Sequence, residues 1–310
     1  MAEAAGGLTA PAGRAHAGGL IHRHRSLTPY LLLAPGLAFL ALFFLVPLGF
    51  LAHQSLETQN PIDFTNSFTW AWHNYSDALS AYDAQLIRSF EYAAIATAIA
   101  LLLSYPLAYW IAFRGGRWKN LFLLMIIAPF FVTYLIRTLA WETILSDQGP
   151  VVHFLRYVHL INVIGDNDRL LATPTAVVAG ITYNFLPFMA LPLYVSLEQI
   201  DTRLLEAAED LYASRRQAFL RVTLPLSAPG VVAGTLLTFI PAAGDYINAQ
   251  FLGSADNQMI GNVIQALYLK QSDYPAAAAL SFVLMAAILI LVLIYIRFAG
   301  SEALMGEEAV

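Results

Sequence analysis

Six apolar runs, each long enough to cross a lipid bilayer, constrain this chain more than any other feature: Tyr30–Ala52, Leu86–Phe113, Leu121–Leu145, Thr175–Leu197, Pro229–Leu252 and Ala276–Phe298. In hydrocarbon no water replaces a missing hydrogen-bond partner, so a spanning segment must satisfy its own backbone, and about 20 apolar residues do so as a helix. Composition agrees, with 58% hydrophobic and only 12% charged residues, against about 25% charged in soluble domains. The expected fold class is all-α: a polytopic membrane bundle of six transmembrane helices. The first run is too long for the core of a signal peptide and no small-residue cleavage site follows it, so it is expected to be a retained helix. Pro35, Pro47, Pro106, Pro129, Pro187, Pro192 and Pro241 lie in or beside these runs and suggest kinks within a packed bundle.

Several function classes are excluded. A formal charge of −5 argues against nucleic acid as a partner, because such binding needs a basic face. The absence of cysteine removes disulfide scaffolds, thiolate-held metals and thiol nucleophiles. No H-E-x-x-H pair, G-x-S-x-G elbow or G-x-x-x-x-G-K-[ST] phosphate loop occurs, so a membrane enzyme lacks its common signatures and any ATP is hydrolysed on another chain. No catalytic residue and no metal site is expected: His53, His73, His153 and His159 lie at or beyond span ends and form no spaced set.

Lys and Arg set the orientation. All but five of the 16 fall on one side: Arg14, Arg23 and Arg25 in the N-terminal tail, Arg114, Arg117 and Lys119 after the second run, Arg203, Arg215, Arg216 and Arg221 after the fourth, and Arg297 at the end. Both termini are therefore expected in the cytoplasm. The expected organisation is a disordered tail over 1–28, a first helix over 29–55, an extracytoplasmic segment over 56–85, a five-helix core over 86–298 and a second tail over 299–310. In the first tail, His16, His22 and His24 offer metal ligands, but a flexible basic tail beside anionic headgroups suits them better. The 56–85 segment carries Glu57, Asp63, Asp77 and Asp83 with no Lys or Arg, and its Phe64, Phe68, Trp70, Trp72 and Tyr75 suit a membrane interface or a docking surface.

One cytoplasmic connection, 198–228, is not a simple loop. Asp201 is a good N-cap, and Leu204, Leu205, Ala208, Leu211 and Tyr212 follow at helical spacing, with Arg203, Glu206, Glu209 and Asp210 on the other side. A second short helix, Arg215 to Val222, is expected to end before Pro225. An interfacial helix resting on lipid is one reading. The acidic residues would be repelled by an anionic leaflet, so a docked protein partner explains the face better.

These residues are recognisable. Glu206-Ala207-Ala208, Asp210-Leu211, Phe219, Val222-Thr223-Leu224-Pro225-Leu226 and Pro229-Gly230 resemble the EAA loop of ABC importer permeases. Strings such as Tyr105-Pro106-Leu107-Ala108-Tyr109, Leu135 to Trp141, Leu186 to Met189, Gly244-Asp245-Tyr246 and Met259 to Asn262 extend the likeness over roughly Tyr30 to Tyr295. They are most similar to the first permease subunit of spermidine/putrescine transporters. The resemblance implies a type I ABC importer permease fold in the plasma (inner) membrane. Implied partners are cytoplasmic ATPase subunits in two copies, a second homologous permease, an extracytoplasmic solute-binding protein and the lipid bilayer. The resemblance also implies that no cofactor binds this chain directly, with ATP and Mg held on the ATPases. Glu206, Ala207, Ala208, Asp210, Leu211, Tyr212, Leu224 and Pro225 would form the coupling contact. The family's loop usually has glycine where this chain has Tyr212, so the tyrosine must accept strain, use a different turn, or pack its ring onto the ATPase.

Within the spans, charged residues mark the candidate path or gate, since each is costly in hydrocarbon. Asp245, with Tyr246 beside it, reads either as a cation-attracting group or as one half of an internal ion pair. Arg137 pairs with Glu91, Glu142 or Asp245 on this reading, as a structural or gating pair, because an arginine would repel a polyamine. Trp141, Glu142, Tyr183, Asn184 and Phe188 complete the set, with packing as the alternative for the aromatic members. The acidic outer segments favour a cationic solute, a polyamine such as putrescine or spermidine, over an oxyanion. An amino-acid-like solute or quaternary amine, and a self-sufficient secondary transporter using Asp245 and Arg137 as a relay, are the alternatives.

Overall fold

A computed structural model describes residues 28–60, 62–166 and 168–299. The expected tails, with His16, His22 and His24, lie outside the described residues but for Thr28 and Ala299. The chain divides into two units, residues 1–51 and 52–310. In the first, α1 (Thr28–Leu40) runs through a π-helical turn, Ala41–Leu45, into α2 (Val46–Ser55), whose last four residues belong to the second unit. The apolar stretch Leu32–Ser55 is 24 residues long with mean hydropathy 2.3, sufficient to cross a bilayer.

In the second unit, the 56–85 segment is not all loop. An antiparallel pair, β1 (Glu57–Gln59) and β2 (Asn66–Phe68), pairs Thr58 with Ser67. The exposed rings of Phe68, Trp70 and Trp72 and the half-buried ring of Tyr75 follow as a ladder with centroids 4.9, 6.5 and 6.0 Å apart. The second span begins earlier than expected: α3 covers His73–Arg114, 42 residues, or about 63 Å at 1.5 Å per residue. That is twice the hydrocarbon thickness. The helix bends at Tyr82 (φ −130°, ψ 22°), so only the part beyond the bend matches the apolar run.

The third run is broken. Helix α4 (Lys119–Ile127) ends in a 3₁₀ turn at Ala128–Phe131, and α5 (Tyr134–Leu145) departs after it; the two arms, taken as Gly116–Phe131 and Tyr134–Tyr157, bend by 94°. Pro129 opens that turn, and Val132 and Thr133 are extended, so a single straight span is replaced by an elbow. The short α6 (Pro150–Tyr157) and α7 (Ile161–Ile164) follow. Helix α8 (Pro174–Glu198) is the most buried span and lies within one residue of the expected run at each end. Its interior Pro187 and Pro192 do not interrupt it.

The coupling segment forms α9 (Thr202–Asp210), α10 (Arg215–Ala218), a π-helical turn at Phe219–Thr223 and α11 (Leu224–Leu226). The second short helix therefore does not stop before Pro225. Its ring would press on the carbonyl four residues back, Arg221, and the widened π turn makes the room. The same device recurs at Pro47, two residues past the π turn at Ala41–Leu45. The fifth run is also broken: α12 (Ala228–Ala243) stops at Gly244–Asp245, and α13 (Ile247–Leu252) restarts beyond. Finally α14 (Ile260–Leu269) and α15 (Tyr274–Ala299) close the chain. Among the described residues four helices are long and apolar enough to span, or up to six if two bent pairs, Gly116–Phe131 with Tyr134–Tyr157 and Arg215–Leu226 with Ala228–Ala243 (59°), each count as one span.

Small residues hold the second unit together. Ala93, Ala96, Ala100, Ser104 and Ala108 recur every three or four residues on α3 and are fully buried, largely against α8; lipid gives no hydrophobic drive, so close backbone approach supplies the packing. On α12, Gly230 and Gly234 do the same. A Cβ on Gly230 would lie 2.5 Å from Ser196 Cβ and 2.7 Å from the Pro192 carbonyl oxygen, and one on Gly234 2.8 Å from Met189 Sδ.

Candidate functional site

The two chain breaks meet. Asp245 sits where α12 has ended and α13 has not begun, and it is 7% exposed. Its Oδ1 accepts from the Tyr134 hydroxyl at 2.9 Å and from the Ile247 amide at 3.3 Å. Its Oδ2 accepts from the Asn248 amide at 3.1 Å and the Asn248 side-chain nitrogen at 2.9 Å. The carboxylate thus satisfies the free amides at the start of α13, as a cap does. Tyr134 begins α5 just past the Pro129 elbow, so the irregular backbone of one broken span is tied to that of the other.

The network continues inward. Asn248 donates from its side chain to the Tyr134 oxygen at 2.6 Å, and its Oδ1 accepts from Asn184 at 3.1 Å and from Thr138 at 3.5 Å. All of Thr138, Asn184 and Asn248 are at most 1% exposed. Asn184 Oδ1 has no partner among the described residues. In a region where water is scarce, a connected polar network of this kind fixes the relative placement of its helices, here α5, α8 and α13.

Arg137 makes none of the three ion pairs the sequence offered. No carboxylate among the described residues lies within 4.0 Å of it, neither Glu91, Glu142 nor Asp245. Its guanidinium instead lies 5.1 Å from the Phe130 centroid and 5.5 Å from that of Tyr134, with Nε and Nη1 buried and unpaired. Ring faces carry partial negative charge and substitute in part for a carboxylate. The elbow explains the departure: the 94° bend brings Phe130 back beside α5, and rings occupy the space that an acid would need.

The remaining candidates divide. Phe188 packs edge-on to Phe130 at 5.0 Å and so joins the Arg137 group. It also lines an open, mainly apolar groove of about 760 Å³ that runs past Pro192 and Gly230 to Asp201 and Leu204. Trp141 and Tyr183 pack on one another at 5.3 Å. Glu142 is half-buried and makes no ion pair among the described residues, and Tyr246 is 39% exposed. Sequence reasoning missed Tyr134, Thr138 and Asn248, which bind the network together, and the Gly230/Gly234 contact, for which the G-x-x-x-G spacing was the available signal. Among the described residues no three His, Asp or Glu side chains gather to hold a metal.

On the coupling segment, Asp201 caps α9 by accepting from the Arg203 amide at 2.9 Å. The helix closes in a Schellman pattern, with the Ala213 amide bonded to the Ala208 oxygen at 3.0 Å and the Tyr212 amide to the Glu209 oxygen at 2.9 Å. Tyr212 occupies the left-handed position at φ 62°, so it accepts the strain a glycine would avoid. Glu206, Ala207, Asp210, Leu211, Tyr212, Leu224 and Pro225 are exposed and Ala208 is half-buried. Nearby, Lys119 bonds Glu198 at 2.7 Å and ties the start of α4 to the end of α8.

A profile of the family described as binding-protein-dependent transport system inner membrane component matches residues 104–303. The spermidine/putrescine transport system permease protein PotB of Escherichia coli (strain K12) is 37% identical over 259 residues, which cover 83% of this chain and 93% of that protein. The protein of the same name from Haemophilus influenzae is 34% identical over 261 residues, 84% of this chain and 90% of its own. Among solved structures, a chain of a bacterial alginate ABC transporter, in complex with alginate pentasaccharide-bound periplasmic protein, superposes with a TM-score of 0.66 at 18% identity, over 92% of this chain and 98% of that one. At that identity the likeness is one of fold.

Proposed function

We propose, from the premise that this chain belongs to the family of binding-protein-dependent transport system inner membrane components and is a multi-pass protein of that membrane, that it is one of two permease subunits of an ATP-driven polyamine importer. The observation that carries the reading is identity running along nearly the whole length of spermidine/putrescine permeases. The other subunits on this reading are a second permease, two cytoplasmic ATPases, which hold ATP and Mg, and an extracytoplasmic solute-binding protein. Both termini face the cytoplasm, following the Lys/Arg distribution.

The geometry supports a rigid-body mechanism without covalent chemistry. Helix α9 is joined to α8 by three residues and to α12 through α10, the π turn and α11. A movement of ATPases against Glu206, Ala207 and Ala208 therefore reaches α8 and α12 together, and the Gly230 and Gly234 contacts make those helices one block. The breaks at Val132–Thr133 and Gly244–Asp245 are where such a block can turn against the rest. At the second break Asp245 attracts a substrate ammonium once the Tyr134 hydroxyl swings away, with the aromatic groups beside it lining the path.

The test is uptake of radiolabelled spermidine and putrescine into proteoliposomes holding the assembled transporter and its solute-binding protein. ATP-dependent uptake is the expected result. Uptake by this chain alone, abolished by collapsing an ion gradient, would establish a secondary transporter instead.

A further inference from the structure

Among the described residues only Arg137 and Asp245 are buried charges, and the fold treats them in opposite ways. Asp245 lies at the start of α13, where the helix dipole favours an anion, and four hydrogen bonds reach its carboxylate. Arg137 is the fourth residue of α5, in the first turn, where the same dipole disfavours a cation. Its Nε and Nη1 are buried without a partner. The attraction of two ring faces is offset by the cost of that burial, so the guanidinium is held weakly where it stands.

What holds it spans the elbow. Phe130 belongs to the 3₁₀ turn that ends the first arm, whereas Tyr134 and Arg137 belong to α5 beyond the extended residues Val132 and Thr133. With its guanidinium over both rings, at 5.1 and 5.5 Å, Arg137 clamps one arm to the other. The rings are reachable although the guanidinium is not. Phe130 is 39% exposed, and Phe188, packed edge-on to it, lines the large groove. Tyr134 serves both charges, with its ring on Arg137 and its hydroxyl on Asp245. An ammonium that arrives at Asp245 therefore meets a tyrosine whose ring already carries a cation, and the two like charges repel.

We infer that Arg137 is a latch on the elbow that senses substrate charge: with no substrate its guanidinium clamps Phe130 to α5, and an ammonium bound beside Tyr134 drives it off the rings and frees the elbow to turn. The inference rests on the importer function proposed above and adds to it the residue through which a cation, and not a neutral solute, starts the movement.

The test uses the assembled transporter in proteoliposomes with its solute-binding protein, and measures uptake of radiolabelled putrescine and ATP hydrolysis in the same vesicles. Arg137→Met leaves the elbow unlatched. Its hydrolysis without putrescine is expected to rise about three- to thirtyfold, the weight of one desolvated cation–π contact. Fewer putrescine molecules should enter per ATP, with no loss of melting temperature. Phe130→Leu removes the other side of the contact and should do the same. Arg137→Lys keeps a charge over the rings and should hold hydrolysis without putrescine within about threefold of wild type. A residue that only supports the fold would instead lower the melting temperature and both activities together, at a constant number of putrescine molecules per ATP. That pattern, or unchanged hydrolysis in Arg137→Met and Phe130→Leu, overturns the inference and leaves the importer intact. Equal uncoupling in Arg137→Lys and Arg137→Met also overturns it, because a hydrogen bond from the guanidinium to another subunit would then be the contact that matters. Absence of ATP-dependent putrescine uptake in the wild type removes the polyamine-importer reading, and the inference with it.

Discussion

The Tyr134 hydroxyl donates to Asp245 Oδ1 at 2.9 Å, and this bond, with those that Asn248 makes to Tyr134 and Thr138, joins the two broken spans. The same tyrosine turns its ring to the Arg137 guanidinium at 5.5 Å, so a single side chain stands between the buried cation and the buried carboxylate. Removing its hydroxyl as Tyr134→Phe leaves Asp245 and the Asn248 side chain each short of a partner. The expected cost is about 1–3 kcal/mol, read as a lower melting temperature of the purified transporter.

Asp245→Asn keeps the shape of the side chain and removes its charge. If Asp245 draws the substrate ammonium, initial uptake of putrescine falls and its apparent affinity weakens, while the transporter still assembles. Unchanged uptake affinity and rate would take Asp245 off the path and leave it as the cap of α13.

For Arg137 the surroundings fix the sign of the effect on stability. Among the described residues it has no carboxylate within 4.0 Å, so Arg137→Met removes a buried, unpaired charge and keeps an apolar side chain over Phe130. Thermal stability should be unchanged or higher by up to a few kcal/mol. A marked loss of stability would mean that this cation has a counter-charge in the assembled transporter.

At the α8–α12 contact, Gly230→Ala places a methyl 2.7 Å from the Pro192 carbonyl oxygen, which is backbone and cannot retreat. The expected destabilisation is about 1–3 kcal/mol. Gly234→Ala meets the Met189 sulfur at 2.8 Å but also that residue's carbonyl oxygen at 3.0 Å; the sulfur can turn aside, so the smaller loss is expected there. Equal tolerance at both positions, measured by thermal unfolding, would mean that the helices stand further apart.

Asp201→Ala removes the cap of α9 and should cost about 1 kcal/mol of local helix stability. Hydrogen exchange would show it as faster exchange confined to the first turn of α9, with the rest of the bundle unchanged.

Much of the fold is legible because hydropathy in a long window finds helices that lie in lipid. Helix α8 was located to within one residue at each end, and α9 follows from a cap and a period. The elbows at Pro129 and Gly244 were not legible, because both arms of each are apolar and a window sums across the break. Tyr134, Thr138 and Asn248 carry no signal singly; they become a network only when the elbows bring them together. For Arg137 the sequence supplied three possible acids, and packing placed rings in their stead.

The π turn before Pro225 also sets an angle. One residue beyond regular helical register turns everything that follows by about 100° about the helix axis, so Phe219–Thr223 fixes the direction in which Tyr212 and the acids of α9 point relative to α12. Deleting one residue there would keep the composition, the caps and the hydropathy of the segment. It would swing the whole acidic face sideways, like a key cut correctly but inserted a quarter-turn out.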